Sequence, residues 1–415
     1  MNILPRLATI RQPVPTAPLN DVARTVRAEL ARLNLSAQIM PGARIAVVAG
    51  SRGITDYALV IKTVIEELHA LGAAPFIFPA MGSHGGATAD GQRQVLAEHG
   101  VTAAAMGCPV HSALDVVEIG RTTTGMPVFC DARAYASDGI IIVNRVKPHT
   151  DFHGPTESGL TKMIAIGLGK RHGAELLHQR GVRGLREDIP RVAAVQLANA
   201  PIIGGLAIVE DGAHHVSWVQ AVRAADIPQV EPQLLERARQ LMATLPVAAC
   251  DVLIIDQIGK DMSGVGMDPN IIGRLYIDGE PEPATPQIGQ IVALRLTPAS
   301  HGNATGIGFA DVTTQQLIDA MDAEITRINI VTSGFPLRGR IPTIMPDDRA
   351  AIIHALRLAQ PTASANPTVV RIQNTLSLAT LQISEQLLHD VLSRSGVELL
   401  APPHDLRFSA AGALL

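Results

Sequence analysis

The sequence contains little cysteine and few aromatic side chains. Its three cysteines, Cys108, Cys130 and Cys250, lie far apart and form no C-x-x-C pair. This spacing excludes a cysteine-rich zinc or iron–sulfur site, argues against structural disulfides and fits a reducing compartment. Aromatic residues make up 3% of the chain, with Trp218 as the single tryptophan, so the stacking platforms that bind single-stranded nucleic acid are missing.

A basic stripe is missing as well. Lys and Arg, 34 in all, are dispersed among 38 Asp and Glu residues, and the formal net charge is −4, which does not suit a phosphate backbone. No apolar run reaches the ~18 residues of a membrane span, and Pro5 and Arg6 interrupt the region where a secretory signal needs an apolar core. The sequence therefore predicts a cytoplasmic protein that binds neither nucleic acid nor a membrane, and it leaves homo-oligomerisation open.

The chain does contain ample material for a core. Hydrophobic residues make up 47% of the 415 residues and charged residues 17%, which is typical of a compact globular protein. The length exceeds the ~250–300 residues at which a single hydrophobic core usually stops growing. We therefore expect two domains, an N-terminal domain at residues 1–245 and a C-terminal α/β domain at residues 246–415.

Short apolar runs alternate with stretches of helical periodicity. The run at 43–50 precedes a helical pattern at 56–71, and further apolar runs lie at 75–78, 139–143, 205–209 and 251–255. This alternation predicts an α/β fold in which mixed or parallel sheets are flanked by helices. A helical stretch at 235–245 closes the first domain. Residues 376–388 and 391–399 resemble a final helix pair or a helix followed by a strand.

Two early loops are candidates for chemistry, because ligands of α/β folds gather at the carboxyl ends of the strands. In the loop Gly50–Gly53, backbone N–H groups and the guanidinium of Arg52 suit a carboxylate or phosphate. The alternative is an arginine that only caps its own loop. The loop Met81–Gly86 places His84 among glycines, where an imidazole can exchange protons near neutral pH. An ordinary surface histidine is the alternative there.

The third loop region is the richest in ionisable groups, with His149, His153, Lys162 and His178 following one buried strand. Lys162 is flanked by apolar residues, surroundings of the kind that lower the pKa of an amine and make it a nucleophile or an attachment point. The alternative is a lysine whose stem lies along apolar surface while its amine reaches water. A neutral imidazole at His178 is a candidate ligand for a borderline metal.

The last candidate loop contains Gln257 and Lys260. Lys260 either neutralises a substrate carboxylate or lies solvated at a strand end. Nucleotide-binding motifs fail nearby, since residues 167–172 lack the third glycine of a dinucleotide fingerprint. Lys170 also lacks the upstream glycine and the following Ser or Thr of a P-loop.

In order and spacing, these loops resemble the nickel-dependent lactate racemase family over most of residues 40–320. The resemblance implies that Lys162 carries the nickel-pincer nucleotide, pyridinium-3-thioamide-5-thiocarboxylic acid mononucleotide, and that His178 completes the coordination of Ni²⁺. It also implies that His84 and His149 are the two catalytic imidazoles, with His153 competing for the role of His149. Enzymes that make and load this cofactor are then expected partners.

The resemblance assigns further residues to binding and places the active site in the cleft between the domains. Cofactor contacts fall to Lys162, Arg52, Ser51, Ser83 and Gly159, and substrate contacts to Arg52, Gln257 and Lys260. The first domain would thus be the catalytic and cofactor-binding one. The chain departs from the family pattern at Ala49, where an Asp is usual, and at residues 159–162, where Gly-Leu-Thr-Lys replaces Gly-Gly-Arg-Lys.

The implied activity is that of an isomerase, a racemase or epimerase of a small 2-hydroxy acid that is lactate-like or a larger aldonic or dicarboxylic acid. One imidazole takes the hydroxyl proton while a hydride moves from the substrate to the cofactor. Two alternatives stay open. One is a dehydrogenase or dehydratase of a sugar acid or hydroxy acid that uses a dissociable nucleotide, and the other is a non-catalytic sensor of a sugar acid or nucleotide.

Overall fold

The computed structural model describes residues 4–51, 53–82, 84–359 and 366–415. In chain order, its strands are β1 (Arg6–Arg11), β2 (Arg44–Ala49), β3 (Ala74–Pro79), β4 (Val116–Arg121), β5 (Pro127–Asp131), β6 (Gly139–Arg145), β7 (Ile202–Glu210), β8 (Val216–Arg223), β9 (Ala249–Ile258), β10 (Gln287–Leu296), β11 (Val312–Thr314), β12 (Thr343–Met345), β13 (Val369–Ile372), β14 (Thr380–Ser384) and β15 (Glu398–Asp405).

The helices, in the same order, are α1 (Val22–Arg32), α2 (Tyr57–Ala70), α3 (Ala89–Glu98), α4 (Ala103–Met106), α5 (Ala132–Tyr135), α6 (Leu160–Lys162), α7 (Lys170–His178), α8 (Gly181–Asn199), α9 (Ile227–Leu241), α10 (Pro269–Ile272), α11 (Gln315–Asp319), α12 (Ala323–Ser333), α13 (Asp348–Ala359) and α14 (Glu385–Leu392). A π-helical segment, Met163–Leu168, connects α6 to the start of α7. Within the described residues, none of these helices combines the length and the apolarity needed to cross a membrane.

The chain forms two compact units. One is Pro15–Met242, and the other combines the chain up to Val14 with Ala243–Leu415. The sequence analysis assigned the first residues to the N-terminal domain, but β1 pairs antiparallel with β14 and β15 of the other unit. The reason is burial, since Leu7, Ala8 and Ile10 are completely enclosed there.

In the unit Pro15–Met242, the central sheet has the strand order β3-β2-β6-β7-β8. The strands β3, β2, β6 and β7 are parallel, and β8 is antiparallel to β7. Apolar residues recur along α2 at helical spacing, and Val60, Ile61, Val64 and Leu68 are buried in the core together with residues of β2 and β6. The helix packs against the sheet and fixes the ends of these strands.

The other unit contains a mixed sheet with the order β12-β11-β10-β9-β13-β14-β1-β15. The predicted helix at 376–388 is wrong over its first part, because Thr380–Ser384 is the strand β14, while α14 and β15 after it form a helix followed by a strand. Leu381 and Ile383 are buried whereas Thr380 and Gln382 are less so, the period-two pattern of a strand. Across both units, the predicted α/β fold with mixed sheets flanked by helices is confirmed.

Candidate active site

Three of the candidate loops leave the same edge of one sheet. β2, β3 and β6 are neighbouring parallel strands, so their carboxyl ends lie side by side. The loop after β2 contains Ser51, the loop after β3 contains His84, and the loop after β6 contains His149. Arg52 and Ser83, which the sequence analysis assigned to cofactor and substrate contacts, lie outside the described residues.

A buried carboxylate holds the third loop in place. Glu157 accepts hydrogen bonds from the backbone N–H of His149 at 2.6 Å and of Gly154 at 3.1 Å, and it pairs with Arg239 of α9 at 2.7 Å. Burial by itself raises the pKa of Glu157, but the hydrogen bonds from His153, His149 and Gly154 outweigh it and lower the pKa. Sequence reasoning missed this role, because the arginine comes from a distant helix.

The imidazole of His149 contacts the amine of Lys162 through Nε2 and Nζ. Its other nitrogen, Nδ1, accepts the backbone N–H of Asp151 at 3.0 Å. Which of the two groups donates in the contact with Nζ depends on the tautomer of the ring. The contact places the amine of Lys162, the predicted attachment point, directly beside a buried imidazole.

His149 and His153 occupy different settings. His149 is buried, with its ring packed on Phe152 at a centroid distance of 4.5 Å. His153 is exposed and contacts Glu157 through Nδ1 at 3.2 Å. The arrangement favours His149 over His153 as the imidazole that works beside Lys162, and its catalytic role stays a prediction.

The first two loops pack against the helical segment that contains Lys162 and ends at His178. A Cβ added to Gly50 would lie 2.8 Å from Cε of Met163, and one added to Gly82 would lie 2.9 Å from Cβ of Ala174. Gly82 is therefore required for the close approach of its loop to this segment, whereas at Gly50 the flexible end of Met163 can move aside. His84, in the second of these loops, is exposed.

Lys162 stands at a change of helical geometry, because α6 ends there and the π-helical segment begins at the next residue. π-helical turns are frequent at functional sites. The apolar flank expected from the sequence is present, since Met163 and Ile164 are buried while Lys162 is half-buried. The amine is thus accessible from one side and surrounded by protein on the other.

His178 ends α7 and is exposed. Enough of the chain surrounds its imidazole that desolvation, together with the positive charge of Lys162, lowers the pKa of His178, while Asp151 acts in the opposite direction. A lowered pKa keeps the imidazole neutral at physiological pH, and the neutral ring is the form that binds metals.

The donor set fits a metal that is carried by an organic cofactor. Within the described ranges, no group of three or more His, Cys, Asp or Glu side chains is arranged to hold a metal ion. His178 supplies one nitrogen, so a metal there needs its other ligands from a bound molecule. The Lys162 amine is a chemically suitable point of attachment for such a molecule.

A buried polar network supports the second loop and was not identified from the sequence. Lys170 is completely buried, and its Nζ donates to the carbonyl of Pro79 at 2.6 Å and to Oε1 of Gln92 at 3.3 Å. Asp131 lies 3.7 Å from the same amine. Gln92 in turn donates to the carbonyls of the second loop. The network ties the base of the His84 loop to the start of α7.

Gln257 and Lys260, the predicted substrate contacts, belong to the other compact unit. Gln257 lies near the carboxyl end of β9, and Lys260 follows this strand by two residues. Nζ of Lys260 donates to the carbonyl of Gly264 and to Oδ1 of Asn329 at 2.9 Å. Asn329, on α12, therefore orients this lysine, a contact that the sequence analysis did not foresee.

The N-terminal part of the chain matches a known family. Residues 5–186 match the family model described as the lactate racemase N-terminal domain. This part of the chain is similar to the N-terminal domain of lactate racemases. The family resemblance proposed from the spacing of the loops is thereby confirmed. A comparison with curated proteins found no match.

Solved structures allow a comparison with the chain at the level of the fold. The lactate racemase apoprotein from Thermoanaerobacterium thermosaccharolyticum is similar with a TM-score of 0.52 and 13% sequence identity, covering 86% of this chain and 92% of that one. A protein from Thermotoga maritima has a TM-score of 0.45 at 11% identity, covering 68% and 72% of the two chains. The first similarity shows a shared α/β fold.

One departure from the lactate racemase pattern has a clear structural consequence. Ala49, where the family usually has an Asp, is completely buried in the apolar core at the end of β2. It offers no polar group to a ligand. Any polar contact from the first loop must therefore come from residues beyond it, such as Ser51, whose backbone carbonyl lies 3.3 Å from Nε2 of His99.

Proposed function

We propose that this chain is an isomerase, a racemase or epimerase of a 2-hydroxy acid. The observation that supports it most directly is the contact between Nε2 of His149 and Nζ of Lys162 at the carboxyl edge of a parallel sheet. An amine beside a buried imidazole suits a covalently attached cofactor and a proton acceptor that work at one carbon.

A nickel-pincer nucleotide fits the residues present. When bound, this group supplies a hydride acceptor. Lys162 would hold it covalently, and His178 would contribute one nitrogen to the metal. Because His178 has a lowered pKa, it is available as a ligand without first losing a proton near neutral pH.

The histidines of this chain would move the proton of the substrate hydroxyl. Glu157 holds the backbone N–H of His149 at 2.6 Å, and the contacts of the ring with the N–H of Asp151 and with Phe152 orient the imidazole before substrate binds. His84 comes from the loop after β3, and an acid/base from a second loop is what inversion of a carbon centre requires. Gln257, Lys260 and Arg52 are proposed to hold the substrate carboxylate, with Ser51, Ser83 and Gly159 against the cofactor.

An isotope experiment tests the proposed reaction. The chain is co-expressed with enzymes that make the nickel-pincer nucleotide, and enantiopure 2-hydroxy acids with deuterium at the α-carbon are followed by chiral chromatography and mass spectrometry. The panel includes lactate, aldonic acids and dicarboxylic hydroxy acids. We expect loss of optical purity with retention of deuterium, because the hydride returns to the same substrate.

Other isotope outcomes contradict the proposal. Deuterium that appears in free nicotinamide nucleotide, or a keto or dehydrated product, indicates net oxidation or dehydration. Binding of a sugar acid without turnover indicates a sensor.

A cytoplasmic location and partnership with cofactor-loading enzymes belong to the same proposal, and pull-down of those enzymes by the apo chain tests the partnership.

A further inference from the structure

Glu231 places a carboxyl group against the first turn of α6, the short helix that ends with Lys162. Oε2 of Glu231 accepts the backbone N–H of Thr161 at 2.7 Å and the Thr161 hydroxyl at 2.8 Å. The two residues are 70 positions apart in the chain, and Glu231 is 1% exposed. One buried side chain of α9 thus determines where the turn before Lys162 begins.

The turn has no local cap of its own. The first N–H groups of a helix need acceptors, which a Ser, Thr, Asp or Asn at the N-cap normally supplies. The N-cap residue of α6 is Gly159, which makes no side-chain hydrogen bond. A Cβ at this position would lie 2.2 Å from Oε1 of Glu231. Gly159 therefore makes room for an acceptor from another helix.

This arrangement is costly, which indicates a purpose beyond capping. A carboxylate loses its hydration when it is buried, and a local Asp or Ser would satisfy the same N–H groups near the surface. The distant acceptor also fixes the orientation of α6, because it ties this short helix to α9. The helix has three residues before the π-helical segment begins, so its orientation depends on an external anchor.

We propose that Glu231 and Thr161 are positioning residues that hold the Lys162 amine against the imidazole of His149. The proposal rests on the proposed function in which Lys162 carries the cofactor. The hydroxyl of Thr161 adds a second hydrogen bond to Glu231 beside the one from the backbone N–H.

The reactivity of the apo protein tests the proposal without any cofactor. Trace acetylation with acetic anhydride forms an N–C bond at each free amine, breaks the C–O bond of the anhydride, and releases acetate and one proton. Mass spectrometry then gives the rate at Lys162 relative to Lys62, an exposed lysine that serves as the internal reference. The ratio is measured between pH 6 and 10, with Tm as the control for folding.

Two pairs of variants separate positioning from general stability. Glu231→Gln keeps the volume but removes the charge, and Thr161→Val removes the hydroxyl that Thr161→Ser retains. We expect the Lys162/Lys62 ratio at pH 7.5 to fall about three- to tenfold in Glu231→Gln and Thr161→Val, the range that one ordinary intramolecular hydrogen bond covers. The amine then becomes an ordinary hydrated lysine. Thr161→Ser should keep the wild-type ratio and pH profile.

The outcomes are decisive in both directions. An unchanged or raised ratio in folded Glu231→Gln and Thr161→Val overturns the proposal, as does a Thr161→Ser variant that behaves like Thr161→Val. Failure of the proposed function would show itself differently, as a wild-type chain with a reactive Lys162 that takes up no cofactor when the biosynthesis enzymes are present.

Discussion

Nε2 of His149 contacts Nζ of Lys162, a residue 13 positions further along the chain. The contact depends on a loop that turns back on itself between the two residues and on a helix that begins just before the lysine. Each end is fixed by a buried carboxyl group, Glu157 for the loop and Glu231 for the helix. Glu157 is linked to α9 through its ion pair with Arg239, and Glu231 is itself a residue of α9.

Replacing Glu157 tests the anchor of the loop. Glu157→Gln removes the charge that pairs with Arg239, and we expect the free energy of unfolding at pH 7 to fall by about 2 kcal/mol, the value of a buried hydrogen bond to a charged group. Urea unfolding measures the change. Glu66→Gln, at an exposed ion pair, is the control and should change stability by less than about 0.5 kcal/mol.

The stability difference between wild type and Glu157→Gln depends on pH, because folding shifts the pKa of Glu157. The pKa of folded Glu157 lies below the ordinary value of 4.5. Its stabilisation is therefore fully present above pH 4.5 and is lost as the pH falls through the folded pKa. Wild type and Glu157→Gln should converge in stability in acid. A gap that stays constant down to pH 3 would contradict the assignment.

Glu231 predicts the opposite dependence on pH. Burial raises its pKa from 4.5 to about 7, against the effect of hydrogen bonds from Thr161. Between these values the folded state binds more protons than the unfolded state, so stability falls as the pH rises from 4.5 to 7. The loss amounts to about 3 kcal/mol at 1.36 kcal/mol per pKa unit. Glu231→Gln should lack this decline, as measured by urea unfolding at pH 5 and pH 8.

The network around Lys170 predicts a linked loss of stability and local order. Lys170→Met leaves Asp131 and the carbonyl of Pro79 without the amine, and we expect destabilisation by about 2–4 kcal/mol. Amide hydrogen exchange should become faster in the loop 81–86, because Gln92 loses its own anchor. Lys62→Met is the matched control at an exposed lysine. Exchange that is faster everywhere except in this loop would count against the network.

A pair of glycine variants tests the close approach at Gly159. Gly159→Ala places a Cβ 2.2 Å from the carboxyl of Glu231, whereas in Gly173→Ala the nearest atom is the carbonyl oxygen of Ala165 at 3.6 Å. We expect Gly159→Ala to lower the free energy of unfolding by about 1–3 kcal/mol. Gly173→Ala, inside α7, should be neutral or stabilising by about 0.5–1 kcal/mol. Equal effects at the two sites would contradict this account.

Much of the fold follows from local sequence patterns, and the exceptions are long-range. Contiguous apolar runs correctly predicted β2, β3, β6, β7 and β9, since a strand buried on both faces needs no partner information to be recognised. β1 joins the other unit through pairing with β15, nearly the whole chain away, which no local pattern reveals. At 376–388, a strand and a helix follow each other within a few residues, and the helical interpretation failed for the strand β14.

The candidate site shows the same limit. The sequence identified His149, Lys162 and His178 by residue type and spacing, and the structure brings the first two into contact. The sequence did not reveal the roles of Glu157 and Glu231, because the role of a buried carboxyl group becomes visible only with the groups that it contacts. Those groups include Arg239, which is 82 residues from Glu157.

The most direct test of the central claim is the intact mass and nickel content of the chain after co-expression with the enzymes that make the nickel-pincer nucleotide. Lys162→Arg is the control, because it keeps the charge and removes the primary amine. The account predicts one cofactor adduct that peptide mapping places on Lys162, about one nickel per chain, and neither of these in the variant. A wild-type chain with no adduct and no nickel, or an adduct that persists in Lys162→Arg, would contradict it.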